Sequence, residues 1–226
     1  MPDHTTFSQR SPGLALATAL AQAQASGPVH VVIDATGLKV YGAGEWLVEK
    51  HGERGTRTWR KLHLAIDPSS GEILASELTT NDEGDASQVG PLLGQLSGPI
   101  ASVTADGAYD GEPTCQAVDE RQPGPPVAVI IPPRSTAVPG VAAGTTPTQR
   151  DGHIQTIQDK GHMAWQKATG YGRRSHAETA VFRCKALIGS SLRARTLPAQ
   201  KTEAKTGCSV LNRMTRLGMP VSQRIS

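Results

Sequence analysis

Residues 28–34 read PVHVVID. A short, β-branched apolar run of this kind belongs to a strand buried on both faces, and it closes on an acid, Asp34. Residues 100–106, IASVTAD, repeat the theme and close on Asp106. Between them, RKLHLAID (60–67) alternates outward and inward residues, PSSG turns, and EILASEL (72–78) continues, which is the pattern of a hairpin. DASQVGPLLGQL (85–96) predicts a modest helix broken or started near Pro91. EPTCQAVDER (112–121) predicts a short helix with Pro113 in its first turn. PVAVIIPPR (126–134) predicts a strand stopped by two prolines that cannot donate to a ladder. The order of strand, hairpin, helix, strand, helix, strand and then helices specifies an α/β sheet with mixed strand directions.

Composition and charge narrow the function. The chain has 226 residues, 24 Gly and 16 Pro, with only 4% aromatic residues. That is globular composition with many turns, without the charge excess of a disordered chain. Its three cysteines, Cys115, Cys184 and Cys208, are too scattered for a metal clasp or a disulfide framework and suit a reducing cytosol. The Ala/Leu-rich segment 14–27 resembles a signal peptide only superficially, because Arg10 is opposed by Asp3 and Thr18 and Gln22 interrupt the apolar run; a surface helix is expected there. No run approaches the roughly 20 apolar residues that span a bilayer, so no membrane partner is expected.

The net charge of +3 hides an asymmetry. Residues 1–159 hold 10 Lys/Arg against 18 Asp/Glu, whereas residues 160–226 hold 13 against 2. Thirteen cations with Glu178 and Glu203 as the only acids exceed what salt-bridge decoration requires and favour a polyanion, nucleic acid being the usual one.

That basic part contains YGRRSHAETAVFRCK, residues 171–185. At 3.6 residues per turn, Arg174, Glu178 and Lys185 project along one stripe. Behind them Ala177, Ala180, Val181, Cys184, Leu187 and Ile188 recur at helical steps, predicting a buried side. Ser175 and Glu178 also fit a capping box, and Arg174 with Glu178 fits an ordinary i,i+4 pair. Residues 133–152 read as a loop rich in Pro, Gly and Thr. Residues 153–226 read as a helical portion, with a last helix around CSVLNRMTRLG (208–218) closed by Gly218 and Pro220. The whole is expected to be one domain with an N-terminal extension over residues 1–27.

Two buried strands that each end in Asp raise the question whether those ends are neighbours. In an open α/β sheet, sites gather beyond the carboxyl ends of parallel strands, and a helical crossover would set the first and fourth strands side by side. Crowded carboxylates raise one another's pKa and call for a cation, for which Mg²⁺ is suited as a hard, oxygen-seeking ion. Glu178, arriving on a helix, would complete a clamp for two ions that activates water or a 3′-hydroxyl for in-line attack on a phosphodiester. Asp67, Asp82, Asp85 and Asp110 compete for the same role on spacing alone. His162 and His176 are expected at surface or capping positions, and Trp46, Trp59 and Trp165 as core or partly buried packing residues.

The chain resembles the catalytic domain of bacterial insertion-sequence transposases of the DDE type, in the group of families four and five. VVIDATGLKVYG around Asp34, VTADGAYDG around Asp106, and Tyr171, Arg174, Glu178 and Lys185 in the group's Y-(2)-R-(3)-E-(6)-K spacing carry the resemblance. It implies a ribonuclease-H-like fold, with Asp34, Asp106 and Glu178 as catalytic and metal-binding triad and Tyr171, Arg174 and Lys185 as DNA-binding residues. It further implies two Mg²⁺ ions that Mn²⁺ can replace, cleavage and strand transfer at an element's inverted-repeat ends, a target DNA, a homodimer on DNA, and a cytoplasmic, nucleoid-associated protein. Relatives carry a helical region before the first catalytic strand, so an N-terminally truncated chain is expected. That leaves open a catalytically incompetent, DNA-binding inhibitor, or a ribonuclease-H-like nuclease.

Overall fold

A computed structural model describes residues 27–40, 58–122, 124–140 and 144–218. The segment expected as an N-terminal surface helix and Trp46 lie outside the described residues.

Strands β1 (Val29–Val40), β2 (Trp59–Ile66), β3 (Ile73–Thr80), β4 (Ile100–Thr104) and β5 (Ala128–Ile130) form a sheet in the order β3-β2-β1-β4-β5. The pairs β3–β2 and β2–β1 are antiparallel, and the pairs β1–β4 and β4–β5 are parallel. The predicted hairpin and the predicted β1–β4 pairing are both present. Helices cover both faces. Helix α1 (Val89–Leu93, led in by a 3₁₀ turn at Asp85–Gln88) and α2 (Glu112–Arg121) lie on one side, and α5 (Ser175–Arg183) and α6 (Leu197–Leu217) on the other. This is the ribonuclease-H-like arrangement.

Alternation along β1 explains the two cores. Val31 and Ile33 join Ala65, Leu92, Leu93 and Val103 on one face, while Val32 joins Leu62, Leu64, Ala177, Cys208 and Leu211 on the other. Each fully buried Val, Leu or Ile contributes roughly 1.5–3 kcal/mol, so a strand apolar on both faces gains twice from one run.

Several elements depart from the sequence expectation. β1 does not stop at Asp34 but runs on to Val40, because on one edge β2 continues the ladder as far as Lys39. On the other edge, β4 last pairs at Val32 and a two-residue strand β6 (Ser191–Leu192) first pairs at Lys39. Asp34 therefore sits in a gap in that edge. Trp59 is 37% exposed with Lys39 over its ring, not a core residue, whereas Trp165 is fully buried.

The compositional loop ends earlier than expected, at α3 (Gln149–Lys160), whose N-terminus is a capping box between Thr148 and Asp151. Gln149 also binds the edge of β5, accepting from Val129 N and donating to Val127 O, where a further strand would otherwise pair. Helix α4 (His162–Thr169) follows, ending at Gly170 in the left-handed conformation. The quoted stretch 171–185 is then three elements instead of one helix: a 3₁₀ turn (Tyr171–Arg174), α5, and a π-helical turn (Cys184–Ile188). The π turn takes more residues per revolution than an α-helix, which carries Leu187 and Ile188, expected to be buried, out to 52% and 41% exposure. The last helix begins 11 residues before Cys208, at Leu197 with Pro198 in its first turn, and ends before Gly218 as expected.

Candidate active site

Each of the three acids predicted as a site reaches it by a different device. Asp34 is held by a strand, and its Oδ1 accepts the N–H of Ala35 at 2.9 Å. Asp106 follows β4 and caps the 3₁₀ turn Gly107–Tyr109, its Oδ1 accepting from Ala108 N at 2.8 Å. One oxygen of Asp106 is thus spent on the backbone and Oδ2 remains. Glu178 stands in the first turn of α5, with no capping-box bond; Ser175 Oγ donates to Gly172 O instead.

The three meet at one guanidinium. Arg174 Nη1 lies 2.7 Å from Glu178 Oε1, while Nη2 lies 3.5 Å from Asp106 Oδ2 and 3.9 Å from Asp34 Oδ2. The i,i+4 pair is therefore present, but as one arm of a larger cluster. Exposure rises across the set: the side chains of Asp34, Asp106 and Glu178 are 14%, 36% and 62% exposed. Among the described residues no three His, Cys, Asp or Glu side chains stand together at the spacing of a metal cage.

Electrostatics mark Asp34 as the stressed member. Burial pushes its carboxyl above the usual range, and the charges of Asp106 and Glu178 push the same way, against the Ala35 N–H and the Arg174 charge. Tyr171 is half-buried, its ring 5.1 Å from that of Trp165. Burial raises its phenol, as do the charges of Asp106, Asp34 and Glu178, against Arg174. Lys185, two turns beyond Glu178, is exposed on the π turn, and no ion pair of Lys185 is found among the described residues. Tyr171 and Arg174 are thus brought to the acids; Lys185 is not. His162 and His176 are exposed, with His162 resting against Trp165.

The competing acids are engaged elsewhere. Asp67 holds its own turn through Ser69 N and Ser70 Oγ. Asp85 pairs with Lys61 at 3.1 Å, Asp110 takes two bonds from Arg150, and Asp82 is exposed beyond β3. A 330 Å³ cavity beside Asp110, lined also by Cys115, Arg150 and His153, has its main polar groups already satisfied: Arg150 by Asp110, Asp151 by Thr148 and Gly140, His153 by Val129 O and Trp165.

Sequence reasoning passed over Tyr109. Its side chain is buried, its hydroxyl has no partner among the described atoms, and burial together with the charges of Asp85, Asp34 and Asp106 pushes the phenol up. The signal available was its position three residues after Asp106, on the turn that this aspartate caps. The thiols of Cys184 and Cys208 are buried and raised, Cys208 to about 12, so neither is a reactive nucleophile. No helix among the described residues is long and apolar enough to cross a membrane.

Residues 25–213 match the family model of the transposase DDE domain. Among solved structures, the chain is similar to the piggyBac transposase in a synaptic complex with hairpin DNA, at 12% identity and a TM-score of 0.33. The similarity covers 88% of this chain and 56% of that one.

Proposed function

This chain belongs to the transposase DDE-domain family, and on that premise we propose that it is a metal-dependent DNA strand-cleaving and strand-joining enzyme of an insertion sequence, in which Asp34, Asp106 and Glu178 are the catalytic acids. One observation carries the reading: acids from a strand, a strand-end turn and a helix, 144 positions apart at the extremes, converge on a single guanidinium. Their chemistry fits a hard divalent cation such as Mg²⁺ or Mn²⁺, since all the donors are carboxylate oxygens and a positive charge already stands among them. Bound there, such ions would supply an activated water or 3′-hydroxyl and stabilise the leaving oxygen.

The residues of the chain do the rest. Asp34 and Asp106 fix their free oxygens by committing Oδ1 to the backbone, so that the donors are oriented before anything binds. Glu178, exposed at the mouth, closes the set from the helix side. Tyr171 and Arg174, beside the acids, would hold phosphates near the scissile bond, with Lys185 engaging the strand farther along. The 13 Lys/Arg of residues 160–226 would supply the salt-sensitive attraction to DNA, both the inverted-repeat ends and the target. A homodimer on DNA accords with that proposal.

The test is cutting of DNA that carries the element's inverted repeats, with Mg²⁺ or Mn²⁺, by wild type and by Asp34→Asn. Cleavage lost in the variant supports the reading, and equal cleavage by both rejects it. Salt-sensitive binding without metal-dependent cutting identifies a DNA-binding inhibitor instead, and cutting indifferent to end sequence identifies a nuclease.

A further inference from the structure

Arg174 brings one positive charge to three carboxylates, and its fit there is incomplete. Nη1 makes a short bond of 2.7 Å to Glu178. Nη2 reaches Asp106 at 3.5 Å and Asp34 at 3.9 Å, beyond the roughly 2.7–2.9 Å of a charge-assisted bond. Nε is buried with no partner. Of three nitrogens, one is well bonded, one loosely held and one orphaned. Arg150 shows what this fold achieves when an arginine is a permanent partner: Nε and Nη2 grip Asp110 at 2.7 and 3.0 Å.

The charge count points the same way. Three ionised carboxylates around one guanidinium leave an excess of two negative charges, and an oxygen cage for Mg²⁺ needs donors at about 2.0–2.1 Å. A guanidinium lodged between those oxygens blocks that approach and repels the ion. We infer that Arg174 is a resident counter-ion at the cation seat: it and a divalent cation exclude one another there, so loading the metal releases the arginine from Asp34 and Asp106. The inference rests on the proposed reading of Asp34, Asp106 and Glu178 as metal-binding acids. It makes Arg174 a residue with two successive positions, first on the acids and then away from them.

The test measures Mn²⁺ binding to the full chain without DNA, by electron paramagnetic resonance and calorimetry at fixed ionic strength. Arg174→Gln removes the competing charge and should bind Mn²⁺ about tenfold more tightly than wild type, the size expected when two ligands are coupled through one site. Adding Asp34→Asn to that variant should abolish the gain. Without metal, Arg174→Gln should melt below wild type, and Mn²⁺ should restore it. Arg174→Lys, whose single ammonium cannot span three acids, should bind Mn²⁺ with an affinity between the two, and it serves if Arg174→Gln does not fold. A variant that binds Mn²⁺ no tighter than wild type overturns the inference, as does failure of every form to bind. The DNA-cutting comparison of wild type with Asp34→Asn is read separately, so the loss of one conclusion does not mask the other.

Discussion

Asn212 and Ile73, 139 residues apart, exchange two hydrogen bonds: Ile73 N donates to Asn212 Oδ1 at 2.8 Å, and Asn212 Nδ2 donates to Ile73 O at 2.7 Å. Ile73 pairs with Ile66 at the start of β3, which forms one edge of the sheet, and backbone groups on an edge strand that face away from the ladder need another partner. A buried amide on α6 supplies both bonds. Asn212→Ala leaves a donor and an acceptor buried and unpaired, and we expect a loss of about 2–4 kcal/mol, read as a lower denaturant midpoint with an unchanged slope.

Asp34→Asn should separate stability from activity. The folded carboxyl of Asp34 lies above its ordinary value of 3.8, chiefly through burial, so as pH rises the unfolded chain releases this proton first. Its contribution is fully present below 3.8 and is lost as pH rises through the folded value. With a chelator present, the variant should match wild type near about pH 3, where Asp34 is protonated and resembles Asn, and exceed it in stability at pH 7. Urea midpoints at the two pH values decide this, and a variant less stable than wild type at pH 7 contradicts it.

Asp110 should behave in the opposite sense. Burial alone would raise its carboxyl, but two bonds from Arg150, the N–H of Arg134 and the two guanidinium charges hold it below 3.8. Its stabilisation is present above 3.8 and disappears as pH falls through the folded value. Arg150→Ala, which strands a carboxylate only 4% exposed, should cost about 3 kcal/mol at neutral pH. The cost of Asp110→Asn should shrink toward zero on acidification, as followed by midpoints across a pH series.

Gly207 lets α6 approach the π turn. A Cβ at this position would stand 2.9 Å from Ile188 Cγ2, so Gly207→Ala should gain none of the roughly 1 kcal/mol that alanine offers a helix interior. In an Ile188→Ala background the clash is gone and the same change should stabilise by about that amount. A double-mutant cycle of thermal midpoints measures the difference, and additivity of the two changes would show that the contact is not limiting.

The parts of the fold legible in the sequence were those in which one period covers a whole element. β1 and β4 read as continuous apolar runs because both faces are buried, and the hairpin alternated. The parts that escaped depend on single contacts or on a change of period. β6 pairs through two residues, Gln149 stands in for a strand with one side chain, and the stretch 171–185 passes through three helical geometries, which no fixed spacing can represent. For the candidate site, Asp34, Asp106, Glu178, Tyr171 and Arg174 were selected by pattern and resemblance, and the structure gathers these five. Arg174's grip on both aspartates was not legible: spacing along a helix gives the direction of a side chain but not the distant groups waiting there. Lys185 was placed on the stripe by assuming an α-helix that has already widened at Cys184.

The gap along β1 between β4 and β6 has a mechanical corollary. Asp34 is anchored by a ladder that continues on its other edge, and Asp106 by the turn that it closes, so neither acid can travel without breaking backbone bonds. Glu178 and Arg174 stand at the start of a helix whose Ala177 and Ala180 are packed on the sheet, and they reach the aspartates through long side chains. Any tightening around a cargo must then be one-sided, made by the side chains of Glu178 and Arg174 over two aspartates whose backbone is fixed.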